Sequence, residues 1–355
     1  VVFSSTTSPL MLENAAYLNF ENITFDGRNV ETTVSLDGNC SDIVIDSCMI
    51  YASASATASN YRCVSQNQSS AVLKNIRIAN SYISGGYYGI YLYAQSAACN
   101  ENIIINNNTL LHQYNYAIYS YYTEFESIGN NLMKPRATGT TNSWYGINAY
   151  YSSGKINGNQ IYSDELSIVP YGIYVYYWNQ TTGRGLIANN DIYLNSSGTN
   201  QYGLSALSSN ADIIHNTIYL SGKPTNLQYA ANIVTSSVSN TYQIKNNIFI
   251  SIGGTTSYAI YLSTLANLPN YTLDYNNYYS SGNIGYVSNA IATLEQWKTT
   301  TSQDVNSINV YPPFIDTLVN LKTDSTFNNI LSCPIVPQVM QDREGYTRSG
   351  FYSVM

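Results

Sequence analysis

The acidic residues of the chain are few, and their spacing decides whether they could cleave a polysaccharide. Two carboxylates that share a glycosidic bond must lie within about 5–10 Å of each other. The densest acidic group is Asp37, Asp42 and Asp46. The chain is built from repeats of 26 to 31 residues, and no Arg or Lys occupies the positions of the next repeat that match these three residues. Asp274 is equivalent to Asp46 but comes eight repeats later, about 38 Å away at one 4.8 Å layer per repeat. We therefore predict no catalytic residues.

The other reactive side chains form no recognisable site. His112 and His215 are about four repeats apart, with no Ser or Cys nucleophile signature beside them. Asp164 and Glu165 are neighbours in a predicted turn, where a solvated acidic pair is a simpler interpretation than a metal site. The five cysteines show no zinc-type spacing, and their odd number excludes complete internal pairing. We predict no metal site and no cofactor.

Two short signatures repeat along the chain with the same period. In the first, Tyr is followed by Gly or Ala, at intervals of 26 to 31 residues. The copies begin at Tyr88, Tyr116, Tyr145, Tyr171, Tyr202, Tyr229 and Tyr258. The second signature is an Asn that is followed two positions later by an apolar or aromatic residue, and it is out of phase with the first. Its copies are Asn108, Asn131, Asn159, Asn190, Asn216, Asn246 and Asn276. Two signatures with one period indicate a repeat architecture.

Each repeat must contain several short strands. Segments such as 103–105 and 243–245 are too short and too β-branched for helices. A unit of this length has no room for a crossover helix, whereas three strands and three turns fit. The sequence therefore predicts an all-β fold, a right-handed parallel β-helix (solenoid) of about ten coils. Residues two and four positions after each signature Tyr should form aliphatic columns inside it.

The Asn column is predicted to be structural. Asn tolerates left-handed backbone angles at turns, and its amide can hydrogen-bond to equivalent residues in the coils above and below. The period weakens after Tyr279, and residues 293–296 form a capping box that should start a short helix. We therefore expect a parallel β-helix over residues 1–290 and a C-terminal closing region with this helix and irregular strands over residues 291–355. The first residues look like a continuing strand, so the chain is predicted to belong to a longer polypeptide.

Tyrosines are also concentrated at outward positions of the repeat, three and five residues after the signature Tyr. The predicted aromatic stripe consists of Tyr91, Tyr93, Tyr119, Tyr121, Tyr150, Tyr174, Tyr176 and Tyr177. Tyr offers an apolar ring for contact with sugars or proteins and a hydroxyl that remains hydrated. The stripe is thus either a ligand-binding surface or a stack of side chains that only stabilises the sheet.

Composition excludes two classes of protein. Charged residues make up 10% of the 355-residue chain, its net charge is −7, and only 14 residues are Lys or Arg. A nucleic-acid-binding protein needs clustered basic residues, so we expect no nucleic-acid partner. No apolar run approaches the roughly 20 residues of a membrane-spanning helix. The expected partners are polysaccharides or surface proteins.

The coils, the Asn turns and the aliphatic columns resemble the pectate-lyase-like right-handed parallel β-helix superfamily. The distal residues 274–279, 293–297, 303–307 and 313–316 are similar to the ending of large secreted β-helix proteins of Bacteroidota. Asp342-Arg-Glu-Gly-Tyr-Thr-Arg348 resembles the Asp-x-(Asp/Glu)-Gly-x-x-Arg segment of that family. The resemblance implies a secreted or outer-cell-surface protein, commonly exported by the type IX system.

Two functional hypotheses follow. In the first, the chain is a non-catalytic surface module, adhesin-like or structural, that binds glycans or partner proteins through the stripe. In the second, it is a polysaccharide lyase or glycoside hydrolase whose acids come together from loops. A carboxylate cluster beside a groove would favour the enzyme, and an uninterrupted Tyr surface would favour the binding module.

Overall fold

The structure is a computed structural model that describes residues 2–4, 7–137, 143–179, 183–254, 256–316, 320–324, 326, 329–348 and 352–355. The chain divides into two compact units, Val1–Lys155 and Ile156–Met355. The predicted domain boundary at residue 290 falls inside the second unit. The predicted fold class is confirmed: the protein is an all-β parallel solenoid of about ten coils.

The first unit consists of short strands that follow one another around each coil. Their bounds are β1 Val2–Ser4, β2 Leu10–Glu13, β3 Ala16–Glu21, β4 Thr24–Gly27, β5 Thr32–Asp37, β6 Ser41–Asp46, β7 Met49–Ala52, β8 Arg62–Gln66, β9 Lys74–Ala79, β10 Tyr82–Ser84, β11 Tyr88–Tyr93, β12 Asn100–Asn106, β13 Thr109–Gln113, β14 Tyr116–Tyr121, β15 Thr123–Gly129, β16 Leu132–Pro135 and β17 Ser143–Tyr150. Strand β18, Lys155–Asn157, lies at the division between the units.

The second unit repeats this arrangement and ends in irregular structure. Its strands are β19 Gln160–Leu166, β20 Val169–Tyr176, β21 Gly185–Ala188, β22 Asp191–Ser196, β23 Asn200–Leu207, β24 Ala211–Ile214, β25 Thr217–Gly222, β26 Leu227–Val234, β27 Tyr242–Lys245, β28 Ile248–Ser251, β29 Thr256–Leu262, β30 Tyr271–Asp274, β31 Asn277–Ser280, β32 Asn283–Val287, β33 Asn289–Ile291, β34 Phe314–Asp316, β35 Asn320–Thr323, β36 Ser332–Pro334 and β37 Tyr352–Val354. A 3₁₀ helix spans Leu265–Asn270 and the α-helix α1 spans Leu294–Thr301.

Every third strand pairs with its counterpart in the next coil, so each unit has three parallel sheets. In the first unit, sheet A is β1-β4-β7-β10-β13-β16, sheet B is β2-β5-β8-β11-β14-β17 and sheet C is β3-β6-β9-β12-β15. In the second unit the same letters denote β19-β22-β25-β28-β31, β20-β23-β26-β29-β32 and β21-β24-β27-β30. This pairing places equivalent residues of successive coils next to each other.

The inner columns lie where the repeat predicts them. In sheet B of the first unit, Ile90, Ile118 and Ile147 are in register and fully buried. The second unit has the same column in Ile173 and Leu204. Aliphatic side chains thus fill the space between the sheets, and burial of this area supplies the main driving force for folding.

The Asn ladder connects the coils at one turn. In the first unit, Asn108 donates its backbone N–H to Asn131 Oδ1 (2.9 Å) and its Nδ2 to the Ile78 carbonyl (2.9 Å). In the second unit, Asn159, Asn190 and Asn216 are linked in the same way, with Nδ2 to Oδ1 distances of 2.9 Å. All five amides are buried, so the ladder satisfies backbone groups that the turn would otherwise leave unpaired.

The prediction that Asn246 belongs to this ladder is wrong, because Asn247 takes the position. Asn247 Oδ1 accepts from Asn216 Nδ2 (3.0 Å), and Asn247 Nδ2 donates to Asn276 Oδ1 (3.0 Å). Asn246 has a left-handed φ of 59° and donates to the Pro334 carbonyl (2.8 Å). The left-handed residue is therefore the one before each ladder residue, as at Asn189, and the ladder residue itself turns its amide inward.

The C-terminal region begins with the expected capping box. The Thr293 side chain accepts from the Gln296 N–H and the Gln296 side chain accepts from the Thr293 N–H, which starts α1. Trp297 of this helix is fully buried, and its Nε1 donates to the buried carboxylate of Asp304 (2.8 Å). Tyr278 also donates to Asp304 (3.2 Å), so the helix is attached to the last coil. Across the described ranges, no helix has both the length and the apolar character needed to span a membrane.

Candidate functional site: the tyrosine face

Sheet B of the first unit brings five of the predicted stripe residues together. Tyr91 on β11 is in register with Tyr119 on β14, and Tyr93 is in register with Tyr121. Tyr121 is in turn in register with Tyr150 on β17. The side chains are half-buried, and Tyr93 is 36% exposed. These residues form two adjacent columns on the outer side of the sheet.

The rings within each column stack on one another. Tyr91 and Tyr119 have centroids 5.3 Å apart and planes within 10°, and Tyr93 and Tyr121 are 5.1 Å apart and within 16°. Tyr150 is tilted against Tyr121 at 6.1 Å. Because equivalent residues are about 4.8 Å apart in a parallel sheet, the aromatic rings meet at nearly their stacking distance.

A third column was not predicted, and it consists of the signature tyrosines themselves. Tyr88 stacks on Tyr116 at 5.0 Å, and Tyr116 stacks on Tyr145 at 4.9 Å, each pair within 11°. The residue after the signature Tyr is buried: a Cβ added to Gly89 would lie 2.5 Å from the Ala117 carbonyl oxygen. This close approach favours Gly after Tyr88, and the copies with Ala, such as Ala117, have a small side chain that is fully buried. In the sequence, this column corresponds to the repeated signature Tyr, which by itself indicates only the period of the coil.

We use the name tyrosine face for these three columns. The tyrosine face consists of Tyr88, Tyr91, Tyr93, Tyr116, Tyr119, Tyr121, Tyr145 and Tyr150. Tyr122 and Tyr151 lie at its margin, where they stack at 5.1 Å and both have left-handed φ values of 48° and 47°. This backbone conformation costs an L-residue about 1–2 kcal/mol.

The guanidinium group of Arg62 lies at one end of the tyrosine face. The Arg62 guanidinium carbon lies 4.0 Å from the Tyr91 ring centroid. Its Nη1 donates to Ser65 Oγ (3.0 Å) and Asn67 Oδ1 (3.2 Å), which holds the guanidinium in place. One side of the Tyr91 ring therefore meets Arg62 and the other meets Tyr119. A cation–π contact of this type stabilises by about 0.5–1 kcal/mol at an exposed site.

In the second unit the predicted stripe residues have different neighbours. Tyr174 and Tyr176 lie on β20, in register with Ser205 and Leu207 of β23. Tyr177 has a left-handed φ of 52° and packs edge-on against Tyr176 at 4.5 Å. The columns of Tyr174 and Tyr176 therefore do not continue as tyrosines in the next coil of this unit.

Stacking decides what the tyrosine face can offer to a ligand. A ring whose two faces meet its neighbours leaves mainly its edge and its hydroxyl for contact, so a sugar cannot lie flat on it. Burial raises the pKa of Tyr91 and of Tyr119, so these phenols are protonated at neutral pH and can both donate and accept. The face therefore presents rows of hydroxyl groups on an apolar base.

The predicted acidic group does not come together as one cluster. Asp37 ends β5 in sheet B, whereas Asp42 and Asp46 lie on β6 in sheet C. Asp46 is in register with Ala79, so the matching position one coil on holds no basic residue; Arg77, two residues before Ala79, nevertheless forms a 3.3 Å ion pair with Asp46. Asn80 also donates to Asp46 at 3.0 Å and helps to lower its pKa. This pair is therefore an ionised surface bridge.

The other reactive residues are equally separate. Asp164 lies exposed within β19 rather than in a turn, and the side chain of Glu165 is outside the described residues. Asp274 accepts from the Asn306 backbone N–H (2.8 Å) and orders the loop after α1. His112 lies exposed on β13, and its Nδ1 is 3.2 Å from Ser84 Oγ of β10. Within the described ranges, no group of three His, Cys, Asp or Glu side chains could hold a metal ion.

The chain matches no protein-family model, no curated protein and no solved structure. The geometry of the tyrosine face is therefore the basis for a functional proposal.

Proposed function

We propose that the protein is a non-catalytic binding module whose tyrosine face holds a polysaccharide chain. The observation that carries the proposal is the triple column of stacked tyrosines in the first unit. Tyr88 and Tyr116, Tyr91 and Tyr119, and Tyr93 and Tyr121 are each in register. Stacking fixes the ring positions before a ligand arrives, so little side-chain entropy is lost on binding.

The chemistry of the face favours a hydroxyl-rich polymer over a charged partner. Its phenols exchange hydrogen bonds with sugar hydroxyls, and the ring edges contact the apolar C–H groups of a sugar. The cation at the edge of the face, Arg62, is already engaged with Ser65 and Asn67. Several weak contacts in series give avidity for a repeating ligand without a deep pocket.

The proposal includes a location outside the cell. A charge-poor surface rich in Tyr, Asn, Ser and Thr suits an extracellular module, and the resemblance to secreted β-helix proteins of Bacteroidota supports an adhesin-like or structural role there. Membership of the pectate-lyase-like superfamily is part of the same proposal. It rests on the parallel coils and on the Asn turns of the sequence.

The test uses substitutions that remove hydroxyls but keep the rings. In a quadruple variant, Tyr91, Tyr93, Tyr119 and Tyr121 become Phe, so the columns still stack. We expect binding to immobilised neutral polysaccharides to weaken at least tenfold, because the loss of four hydrogen bonds at about 0.5 kcal/mol each, the low end of the usual range, corresponds to about thirtyfold. The melting temperature should stay close to that of the wild type.

The matched control replaces four tyrosines of sheet B in the second unit by Phe: Tyr202, Tyr229, Tyr258 and Tyr261. This control should bind as the wild type does. Equal binding by both quadruple variants and the wild type would exclude the tyrosine face as the site. Release of soluble sugar from any polysaccharide in the same samples would contradict the non-catalytic proposal and favour the lyase or hydrolase.

A further inference from the structure

The second unit contains a cavity that the tyrosine face does not involve. Its volume is about 430 Å³, in the range of small-molecule sites. Its floor is built from successive coils and includes Asp191, Thr217 and Ile248, the first residues of three adjacent sheet A strands. Its wall comes from β35 and from the segment 342–348.

A tight turn presents the wall residues. Asp342 Oδ1 accepts from the Tyr346 N–H (2.9 Å), and the Asp342 N–H donates to the Tyr346 carbonyl (3.0 Å). Gly345 has a φ of 86°, which L-residues rarely adopt. Arg348 Nη2 donates to Asn189 Oδ1 (3.0 Å) and attaches the turn to the coils.

A chain of ion pairs runs along the cavity. Lys322 Nζ lies 3.0 Å from Glu344 Oε2, Arg343 Nη2 lies 3.8 Å from Glu344 Oε1, and Arg343 Nε lies 2.8 Å from Asp191 Oδ2. Carboxylates and a guanidinium in one chain offer adjacent acceptors and donors, a pattern that matches neighbouring hydroxyls of one sugar ring.

The charges of the lining cancel. Three acids, Asp191, Asp342 and Glu344, face three bases, Lys322, Arg343 and Arg348. His215 also lines the cavity, and burial, together with the nearby Arg348, lowers its pKa to about 3, so it is neutral. A charged ligand would be repelled by the side chains that carry its own sign of charge, whereas a neutral ligand leaves the ion pairs intact.

An aromatic ring at the cavity is free for stacking. Tyr346 is 69% exposed and lines the cavity. Unlike the stacked rings of the tyrosine face, it has no aromatic partner among the residues that the structure describes. Its ring can therefore lie against the apolar side of a sugar.

We propose that this cavity binds one neutral sugar residue, with Tyr346 against the ring and the Asp191–Arg343–Glu344 chain on its hydroxyls. The site does not depend on the tyrosine face, so the proposed function and this inference can fail separately.

The experiment measures binding of methyl glycosides of glucose, galactose and mannose to the full chain by saturation-transfer NMR and calorimetry. At least one of them should bind, and Tyr346→Ala should weaken it about fivefold, the loss of one stacking contact. Tyr17→Ala, at an 84% exposed tyrosine of the first unit, is the matched control and should change nothing.

A charge change tests the hydroxyl-binding chain. Methyl glucuronide should bind more weakly than the neutral glycosides to the wild type, and Glu344→Gln, which gives the lining one net positive charge, should shift the preference toward the glucuronide. Absence of binding by all three neutral glycosides, or binding that Tyr346→Ala leaves unchanged, would overturn the proposal. An unchanged preference in a folded Glu344→Gln variant would remove Glu344 from the site and with it the proposed chain.

Discussion

The Asn ladder allows a quantitative prediction for Asn190→Leu. In the wild type, Asn190 Oδ1 accepts from the Asn159 N–H (3.0 Å) and from Asn159 Nδ2 (2.9 Å). Asn190 Nδ2 donates to the Ile156 carbonyl (3.0 Å) and to Asn216 Oδ1 (2.9 Å). The leucine side chain has the same number and branching of heavy atoms but makes none of these hydrogen bonds.

The magnitude follows from the groups that lose their partner. Asn216 Oδ1 keeps the Asn190 backbone N–H at 3.1 Å, so it remains paired. The Asn159 N–H, one Asn159 amide hydrogen and the Ile156 carbonyl are left without the bond that they made. At about 1–2 kcal/mol for each unsatisfied buried group, the free energy of unfolding should fall by about 3–6 kcal/mol. For a domain of this size the melting temperature should fall by about 5–15 °C.

The assay is thermal and urea unfolding followed by fluorescence of the buried Trp178 and Trp297, both in the second unit. Asn226→Leu is the control, because Asn226 is an exposed Asn of the same unit and its replacement should change stability by less than about 0.5 kcal/mol. If Asn190→Leu unfolds at the same temperature as this control, the ladder does not stabilise the coils and the reasoning fails.

Two further predictions concern the second unit. Burial raises the pKa of Asp191 to about 6, above its ordinary 3.8, although the Arg343 guanidinium opposes the shift. Folding therefore favours the protonated carboxyl. This stabilisation of up to about 3 kcal/mol is present below pH 4 and is lost as the pH rises to about 6. Asp191→Asn should flatten this part of the stability profile in urea unfolding at pH 4 to 7, and a profile with the wild-type slope would contradict the assignment. Gly285→Ala would place a Cβ 2.4 Å from the Trp297 ring, so calorimetry should show a loss of about 1–3 kcal/mol from overpacking; a melting temperature equal to that of the wild type would show that α1 can shift freely.

The sequence alone was enough to predict the architecture of the coil. Period, β-branched triplets and the absence of helix-length segments led to three strands per turn, and the inner position of Ile90 and Ile118 followed from their offset from the signature Tyr. This worked because a parallel coil repeats one environment, so every copy of the signature reports the same position. The capping box at Thr293 was predictable for a related reason, since its hydrogen bonds join residues only three apart.

Other features depended on contacts that the period does not describe. Asn246 and Asn247 satisfy the same pattern, and only the left-handed backbone at Asn246 decides that Asn247 enters the ladder. Arg77 reaches Asp46 across a register offset of two residues, because its side chain is long enough to span the gap. Simple alternation also missed the outward Tyr88 column, because Gly89 and Ile90 are both buried.

The candidate sites show the same contrast between features that follow from the repeat and features that depend on tertiary contacts. The recurrence of tyrosines on the outside of the coils follows from the sequence, because side-chain direction depends on position in a repeated strand. The stacking of the rings in the tyrosine face, which leaves their edges and hydroxyls for contact, is visible in the tertiary structure and not in the sequence. The tertiary structure alone revealed the cavity, since its floor around Asp191 and its wall around Arg343 are about 150 residues apart in the chain. Such contacts depend on how a non-repeating segment folds back onto a repeating one, and no period encodes that.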